Sequence, residues 1–240
     1  MANDRKLLTI LTEKNGVVTC FARNDKMNSA KFSAAACNLS YSQFTFYKSR
    51  SGYNLDDVTS LHMFFGLTGD MVKLFLVYYL DDLMKYIVME EEESPEYLRL
   101  MLNTLYVLSE SDKPVLLIKA VFELRVMAEA GYMPDVVACK GCGAYEAEDV
   151  YFDLDRSCIW CPDCYSGGNA VKIGRGTLFG LRTALFADPK RIFSFTLSKE
   201  GIAQLATLAE KYIIIMTEKE FDSLENFKMI NEPDKEMENG

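Results

Sequence analysis

Near the N-terminus the apolar residues come in short runs rather than at helical spacing. Leu7-Leu8-Thr9-Ile10-Leu11 leads into Glu13-Lys14-Asn15-Gly16, and Val17 to Ala22 follows as a second apolar run. Asn-Gly between two such runs is the strongest short-range hairpin signal, so residues 6–23 are predicted as two strands around a turn. A polar loop is predicted from Arg23 to Lys31. Two more β-rich stretches, Gln43–Lys48 and Tyr53–Thr59, are separated by Ser49-Arg50-Ser51-Gly52. Four short strands with turn signals and no long helix predict a small barrel or an open sheet.

The period changes near Gly66. From there to Met89, Leu67, Met71, Leu74, Phe75, Tyr78, Leu83, Tyr86 and Ile87 recur at helical spacing. Ser94-Pro95-Glu96 predicts a second helix to about Ser109, with Ser94 as N-cap and proline in the first turn. A third is predicted after Asp112-Lys113-Pro114, ending near Gly131 with Pro134 as a stop. Helical patterns resume at about 175–187, 199–216 and 218–230, and residues from Glu232 onward form a polar tail without period. Glu90-Glu91-Glu92-Glu93 reads as a solvated connection. There is no internal repeat.

Between the third and fourth helical patterns the chain carries five of its seven cysteines: Cys139, Cys142, Cys158, Cys161 and Cys164. Cys139-Lys140-Gly141-Cys142, an 18-residue insert and Cys161-Pro162-Asp163-Cys164 have the spacing of a four-cysteine zinc ribbon. Glycines beside the first pair and Pro162 in the second suit the tight turns that present paired thiolates. Cys158 and Cys161 are also two residues apart, so a second register exists; Cys161 with Cys164 is the preferred pair. A full set of four thiolates leaves no open position for substrate, and zinc here is expected to be structural, contributing directly to the folding of a ribbon too small to fold alone.

Composition narrows the classes. With 240 residues, 49% apolar and 25% charged, the chain is an ordinary folded protein long enough for more than one domain. No secretory signal opens it, and the apolar run Phe75–Leu80 is stopped by Asp81-Asp82, short of a membrane span. Clustered cysteines without a secretory signal point to a reducing cytoplasm rather than a disulfide framework. Net charge is −9, but residues 1–55 hold eight basic against three acidic residues, and the remainder 18 basic against 32 acidic, a balance of −14. A basic module attached to an acidic body is one reading of that asymmetry. Phe21, Phe32, Phe44, Phe46 and Tyr47 are interleaved with its cations, as a surface for single-stranded nucleic acid requires, although most of these rings are expected to fill a barrel interior.

Catalytic signals are weak. The single histidine, His62, has no acid or nucleophile near it in sequence, and is expected to be structural. Asp56-Asp57 and Asp81-Asp82 are adjacent pairs that point different ways and read as exposed charge. Gly174-Arg175-Gly176-Thr177-Leu178-Phe179-Gly180 fits neither phosphate-binding glycine pattern, with no suitable strand expected before it, and reads as a loop entering a helix. Neither C-x2-C pair sits in the strand–helix context of a thiol oxidoreductase.

The order of these parts resembles the RecO family of bacterial recombination mediators, over nearly the whole chain. The stretches that carry the resemblance are Asn3-Asp4-Arg5-Lys6-Leu7-Leu8-Thr9-Ile10-Leu11, Phe122-Glu123-Leu124-Arg125, Ala130-Gly131-Tyr132-Met133-Pro134-Asp135 with Cys139-Lys140-Gly141-Cys142-Gly143, Cys161-Pro162-Asp163-Cys164, and Phe221-Asp222-Ser223-Leu224. The resemblance implies an α+β protein: an N-terminal OB-fold barrel over 1–62, an α-helical domain over 63–135 and 167–232, a zinc ribbon inserted at 136–166, and a tail at 233–240. It implies a structural zinc on Cys139, Cys142, Cys161 and Cys164, with Cys158 where relatives usually have glycine. It also implies a non-enzymatic, cytoplasmic, nucleoid-associated protein of DNA repair and recombination. Such a protein anneals strands on single- and double-stranded DNA and works with RecR and the acidic C-terminal tail of single-strand-binding protein. Lys119 and Arg125 on the third helix are candidate cations for that tail.

Relatives have a further barrel strand before Asn3. Either translation begins upstream of Met1 or the barrel keeps an open edge. The family's basic loop corresponds to Arg23 through Lys31, here diluted by Asn24, Asp25 and Asn28, and Phe221-Asp222-Ser223 replaces a basic Phe-Lys-Ser. On this reading Arg23, Lys26, Lys31, Lys48 and Arg50 neutralise phosphates while exposed rings hold bases. The alternative is a zinc-ribbon adaptor whose partners are proteins only, which the acidic pI of about 4.8 favours.

Overall fold

A computed structural model of the chain describes residues 5–23, 28–36, 39–50, 52–90 and 92–231. The predicted hairpin is present as β1 (Arg5–Thr12) and β2 (Gly16–Arg23). Its turn spans Glu13, Lys14 and Asn15 with Thr12 opposite Gly16, one residue wider than the two-residue turn that Asn-Gly favours. Gly16 has φ +58°, and a Cβ there would run into the Met89 carbonyl. The turn is seated against the chain at 88–94: Gly16 bridges Glu90, and the Ser94 N–H donates to the Glu13 carbonyl at 2.9 Å. In the acidic connection Glu90, Glu92 and Glu93 thus expose their side chains, while backbone contacts at Glu90 and Ser94 hold the hairpin.

Where a polar loop was expected through Lys31, a short helix α1 (Ala30–Ala35) forms, with the Ser29 hydroxyl accepting from the Phe32 N–H. Strands β3 (Ser40–Ser49) and β4 (Gly52–Met63) are longer than their sequence pattern suggested. They pair antiparallel with irregularities at Tyr41/Ser42 and Thr45/Phe46. The sheet order is β1-β2-β4-β3, and β2 meets β4 in parallel through only two residue pairs.

Of the expected small barrel or open sheet, the described strands form the open sheet, and no closed barrel is found. The outer strands β1 and β3 both border an open cleft of about 1050 Å³ instead of pairing with each other or through a further described strand. The small core of this sheet consists of Cys20, Ala22, Phe32, Ala35, Leu55 and Val58. Phe44, Phe46 and Tyr53 pack against it, so most of the rings interleaved with the cations do face inward.

After a 3₁₀ turn at Phe65–Leu67 the helical body begins with α2 (Met71–Ile87), capped by the Asp70 carboxylate accepting from the Lys73 N–H at 3.0 Å. Helix α3 (Pro95–Glu110) starts at proline with Ser94 in the N-cap position as predicted, but the Ser94 hydroxyl makes no capping bond and donates instead to the Glu92 carbonyl. Helix α4 (Val115–Glu129) buries ten of its fifteen residues and packs against α2, α3, α5 (Arg175–Phe186) and α6 (Lys199–Thr217). A helix apolar on every side belongs at the centre of a bundle. Helix α7 (Asp222–Asn231) closes the body against α2.

Three further strands, β5 (Asp149–Asp153), β6 (Cys158–Trp160) and β7 (Ala170–Gly174), form an antiparallel sheet in the order β6-β5-β7. No suitable strand is expected before Gly174 from the sequence pattern; β7 runs directly into α5 there, so no loop intervenes. Gly180, one turn into α5, is needed for packing, since a Cβ would lie 2.9 Å from both Phe195 and Leu197. Val150, Phe152, Leu154, Ile159 and Ile173 bury into the same core as the helices.

At the centre, Lys119 and Glu123 are buried on α4 with their charges 2.8 Å apart. Lys119 also reaches Glu210 on α6 at 3.1 Å, and the Tyr79 hydroxyl of α2 donates to Glu123 at 2.7 Å. Glu210 continues to Lys228 on α7, also at 3.1 Å. Burial raises the Glu123 carboxyl above its ordinary value despite Lys119 and Tyr79 beside it. Removing one partner of such a pair leaves the other charge buried, at a cost of about 3–5 kcal/mol. Lys119→Met is therefore expected to cost about that much in urea unfolding at pH 7.5. Glu123→Gln should cost less, because Lys119 keeps Glu210. A carboxyl with a raised folded-state pKa binds a proton in the folded state before it does in the unfolded state, so its penalty grows with pH. The Lys119→Met defect should shrink between pH 7.5 and pH 5; a pH-independent defect would contradict the assignment of the cost to Glu123.

Candidate metal centre and nucleic-acid face

The C-x2-C pairs converge. The Sγ atoms of Cys139, Cys142, Cys161 and Cys164 all lie within 4.8 Å of one another, and the four could hold a metal ion. Zinc bound to four thiolates at about 2.3 Å makes a tetrahedron with edges of about 3.8 Å. The Cys142–Cys161 separation is 3.8 Å. Cys139 and Cys161 are buried, Cys164 is half-buried and Cys142 is exposed, so the site sits at the edge of the ribbon. Cys158 begins β6 opposite Asp153 and lies outside this group.

Each turn is built from local backbone geometry. In the first, the Gly143 N–H donates to the Cys139 carbonyl at 2.9 Å, with Gly143 at φ +74°. In the second, the N–H groups of Cys164 and Tyr165 both donate to the Cys161 carbonyl. The turns approach so closely that a Cβ on Gly141 would lie 2.9 Å from the Cys164 sulfur. The Cys161 N–H points at the Cys139 sulfur from 3.2 Å.

The electrostatics suit a cation. Burial pushes the Cys139 thiol up, but backbone N–H donors of Cys161, Cys142 and Gly141 outweigh it and hold the thiol at about 6. The opposite happens to Cys164, which the neighbouring thiols of Cys161 and Cys142 push up to about 12. Four sulfurs this close cannot all carry negative charge unless a cation sits among them, and a coordinated ion deprotonates its thiols outright.

The nucleic-acid residues predicted from sequence are scattered. Arg23 ends β2 and is exposed; Lys48, the last residue but one of β3, lies 5.2 Å above the Tyr53 ring; Arg50 is exposed at the β3–β4 turn. Lys26 lies outside the described residues, and Lys31 is placed only as part of the α1 backbone. A residue absent from that set stands out. Arg5 is directly opposite Arg23 in the β1–β2 register, with Leu7 opposite Phe21 two residues along. Directly opposite residues share a face, and like charges there disfavour the pairing. Two exposed guanidinium groups, a half-exposed phenyl ring and the exposed Leu7 therefore occupy one outer face of the hairpin. The Asn15-Gly16 turn fixes this register and was the sequence signal for it.

The other cations proposed for a partner are engaged internally. Lys119 is buried in the ion-pair network and is not available to a partner carboxylate. Arg125 donates to Glu129 and to the carbonyls of Leu185 and Ala187 at the end of α5. His62 is exposed on β4 with its ring edge-on to Phe64. The carboxylates of Asp56, Asp57, Asp81 and Asp82 are exposed, with Asp81 paired to Lys85. Among the described residues no helix is long and apolar enough to cross a membrane.

The family model described as "Recombination protein O C terminal" matches residues 68–225, which includes the helical body and the cysteine cluster. The DNA repair protein RecO of Acetivibrio thermocellus is 25% identical over 227 residues, covering 94% of this chain and 90% of the relative. That of Caldicellulosiruptor saccharolyticus is 25% identical over 225 residues, covering 94% and 91%. A third, from Symbiobacterium thermophilum, is 28% identical over 225 residues, covering 92% and 88%. With α2 to α6, the ribbon and the cysteine cluster all inside the matched span, this chain belongs to the RecO family.

Proposed function

We propose that this chain is a non-enzymatic DNA-binding mediator of recombinational repair, which anneals strands and acts with RecR and single-strand-binding protein. The observation that carries this reading is the match over more than nine-tenths of the chain to proteins named for DNA repair. The hairpin face supports it physically. Arg5 and Arg23, with Lys48 and Arg50 at the neighbouring hairpin, supply phosphate contacts, and Phe21 and Tyr47 supply rings on which bases stack. Neutralising the phosphates of two strands lowers the repulsion that keeps them apart. The described site chemistry offers a filled thiolate set rather than an open metal position.

The metal fitting the four sulfurs is zinc, held by Cys139, Cys142, Cys161 and Cys164, and when bound it fixes the relative position of two turns. Its role is narrower than the ribbon's length suggested. Because β5, β6 and β7 bury their apolar side chains in the main core, the sheet does not rely on the ion for a core of its own. Removing zinc with a chelator is expected to leave the far-ultraviolet helical signal unchanged while hydrogen exchange speeds up across 138–146 and 160–166. Loss of the helical signal on chelation would show the body to be metal-dependent.

Binding of a labelled single-stranded oligonucleotide across a salt series tests the DNA reading. Four or five phosphate contacts predict a log–log slope of about −3 to −4 for single strands, and each lost contact should reduce it by about 0.7. Arg5→Ala and Arg23→Ala are each expected to flatten the slope by about that amount, with Lys119→Met leaving it unchanged. No salt-dependent binding by the parent protein would favour a zinc-ribbon adaptor with protein partners only, the reading that a net charge of −9 makes the alternative.

A further inference from the structure

One side chain of the helical body reaches both ends of the loop that carries the first metal pair. Arg182, on α5, donates from Nε to the Val136 carbonyl at 2.8 Å. Its Nη2 donates to the carbonyls of Val137 at 2.7 Å and Tyr145 at 2.8 Å. The guanidinium also lies over the Tyr145 ring, 4.1 Å from its centre. Val136 and Val137 lead into Cys139, and Tyr145 follows Ala144, whose carbonyl accepts the Cys139 N–H at 2.8 Å. The loop carrying Cys139 and Cys142 is therefore closed at its base by two backbone bonds, from the Cys139 N–H to the Ala144 carbonyl and from the Gly143 N–H to the Cys139 carbonyl. Arg182 grips both strands of that base.

We propose that Arg182 is a positioning residue for the metal centre: it touches no sulfur, yet it sets how long the centre keeps its ion. This inference rests on the metal reading above. An ion leaves a four-thiolate site one sulfur at a time, and each freed sulfur either rebinds or swings away. With the base of the loop held by three carbonyl bonds, a freed Cys142, the exposed member of the set, stays within reach and rebinds. With the base open, the Cys139–Cys142 pair departs together. The planar fork of arginine is what allows one group to serve three carbonyls and stack on a ring; an ammonium is a point charge and cannot.

The test uses the full chain loaded with zinc and measures transfer of the metal to a chromogenic chelator, pyridylazoresorcinol. Outer partners that orient a metal site typically contribute about 10–100-fold in metal affinity, so Arg182→Met should release zinc at least about tenfold faster than the parent. Arg182→Lys, which keeps the charge, should not restore slow release. Arg175→Met is the control, since Arg175 lies on the same helix and pairs with the ribbon's Glu146 and Glu148 while exposed. It should release zinc at the parent rate.

A folded Arg182→Met protein that lowers the melting temperature yet releases zinc at the parent rate has lost only a structural contact, and overturns the proposal. If Arg182→Met does not fold, Arg182→Lys decides: release at the parent rate overturns it, and faster release supports it. Elemental analysis showing no zinc in the purified parent would instead overturn the metal reading itself, and this inference with it.

Discussion

Helix α4 is surrounded by four other helices, and this one constraint governs the rest of the body. A helix enclosed on all sides cannot send a lysine or a glutamate to water, so Lys119 and Glu123 must satisfy each other inside the core. They do so through a shared network that draws Tyr79 from α2, Glu210 from α6 and, through Glu210, Lys228 from α7. Apolar packing is tolerant of small rotations, whereas a buried charge without its partner is not. The network therefore fixes the mutual rotation of helices that Leu, Ile and Phe side chains would hold less specifically. One atom, the second oxygen of Glu123, has no protein partner, which fits the upward displacement of that carboxyl.

The ribbon depends on the same body. Its sheet is anchored through Phe152, which meets Tyr212 of α6 edge-on, and the Tyr212 hydroxyl donates to the Tyr132 carbonyl just beyond α4. Apolar burial thus holds the strands, while the four thiols sit only in the turns at their ends. A metal held there would report on local geometry rather than on global folding, unlike a small domain in which the ion replaces a core.

What the sequence revealed was what depends on neighbours close along the chain. Metal-turn spacing, the Asn15-Gly16 turn and the helical periods of α2 to α6 are local in this sense, and each was legible. Helix α1 is six residues long, too short to show a period, and β7 is five residues between a glycine-rich bend and a helix. Lys119 and Glu123 stand four residues apart, the spacing of a solvated surface pair, and only enclosure by other helices makes them a core pair. The strand pattern fitted a small barrel and an open sheet alike for a similar reason. Whether two edge strands meet is decided by the whole curvature of the sheet, and no strand carries that information alone. Arg182 left no sequence signal, because its partners are backbone carbonyls about forty residues earlier.

The charge distribution removes the apparent conflict between an acidic protein and a nucleic-acid partner. Net charge governs behaviour at distances beyond the Debye length, about 8 Å in physiological salt, whereas a phosphate in contact responds to the cations beside it. The surplus of five cations in residues 1–55 is concentrated in the sheet module, and the balance of −14 lies in the remainder of the chain. On the DNA-binding reading proposed above, helices that carry negative charge would repel nucleic acid, confining binding to the sheet and suppressing non-specific contact with the body. The cost would fall on association rate, since a net negative protein is not steered toward DNA from afar. Protein partners of the kind proposed above would make that loss small by supplying the encounter that long-range attraction does not.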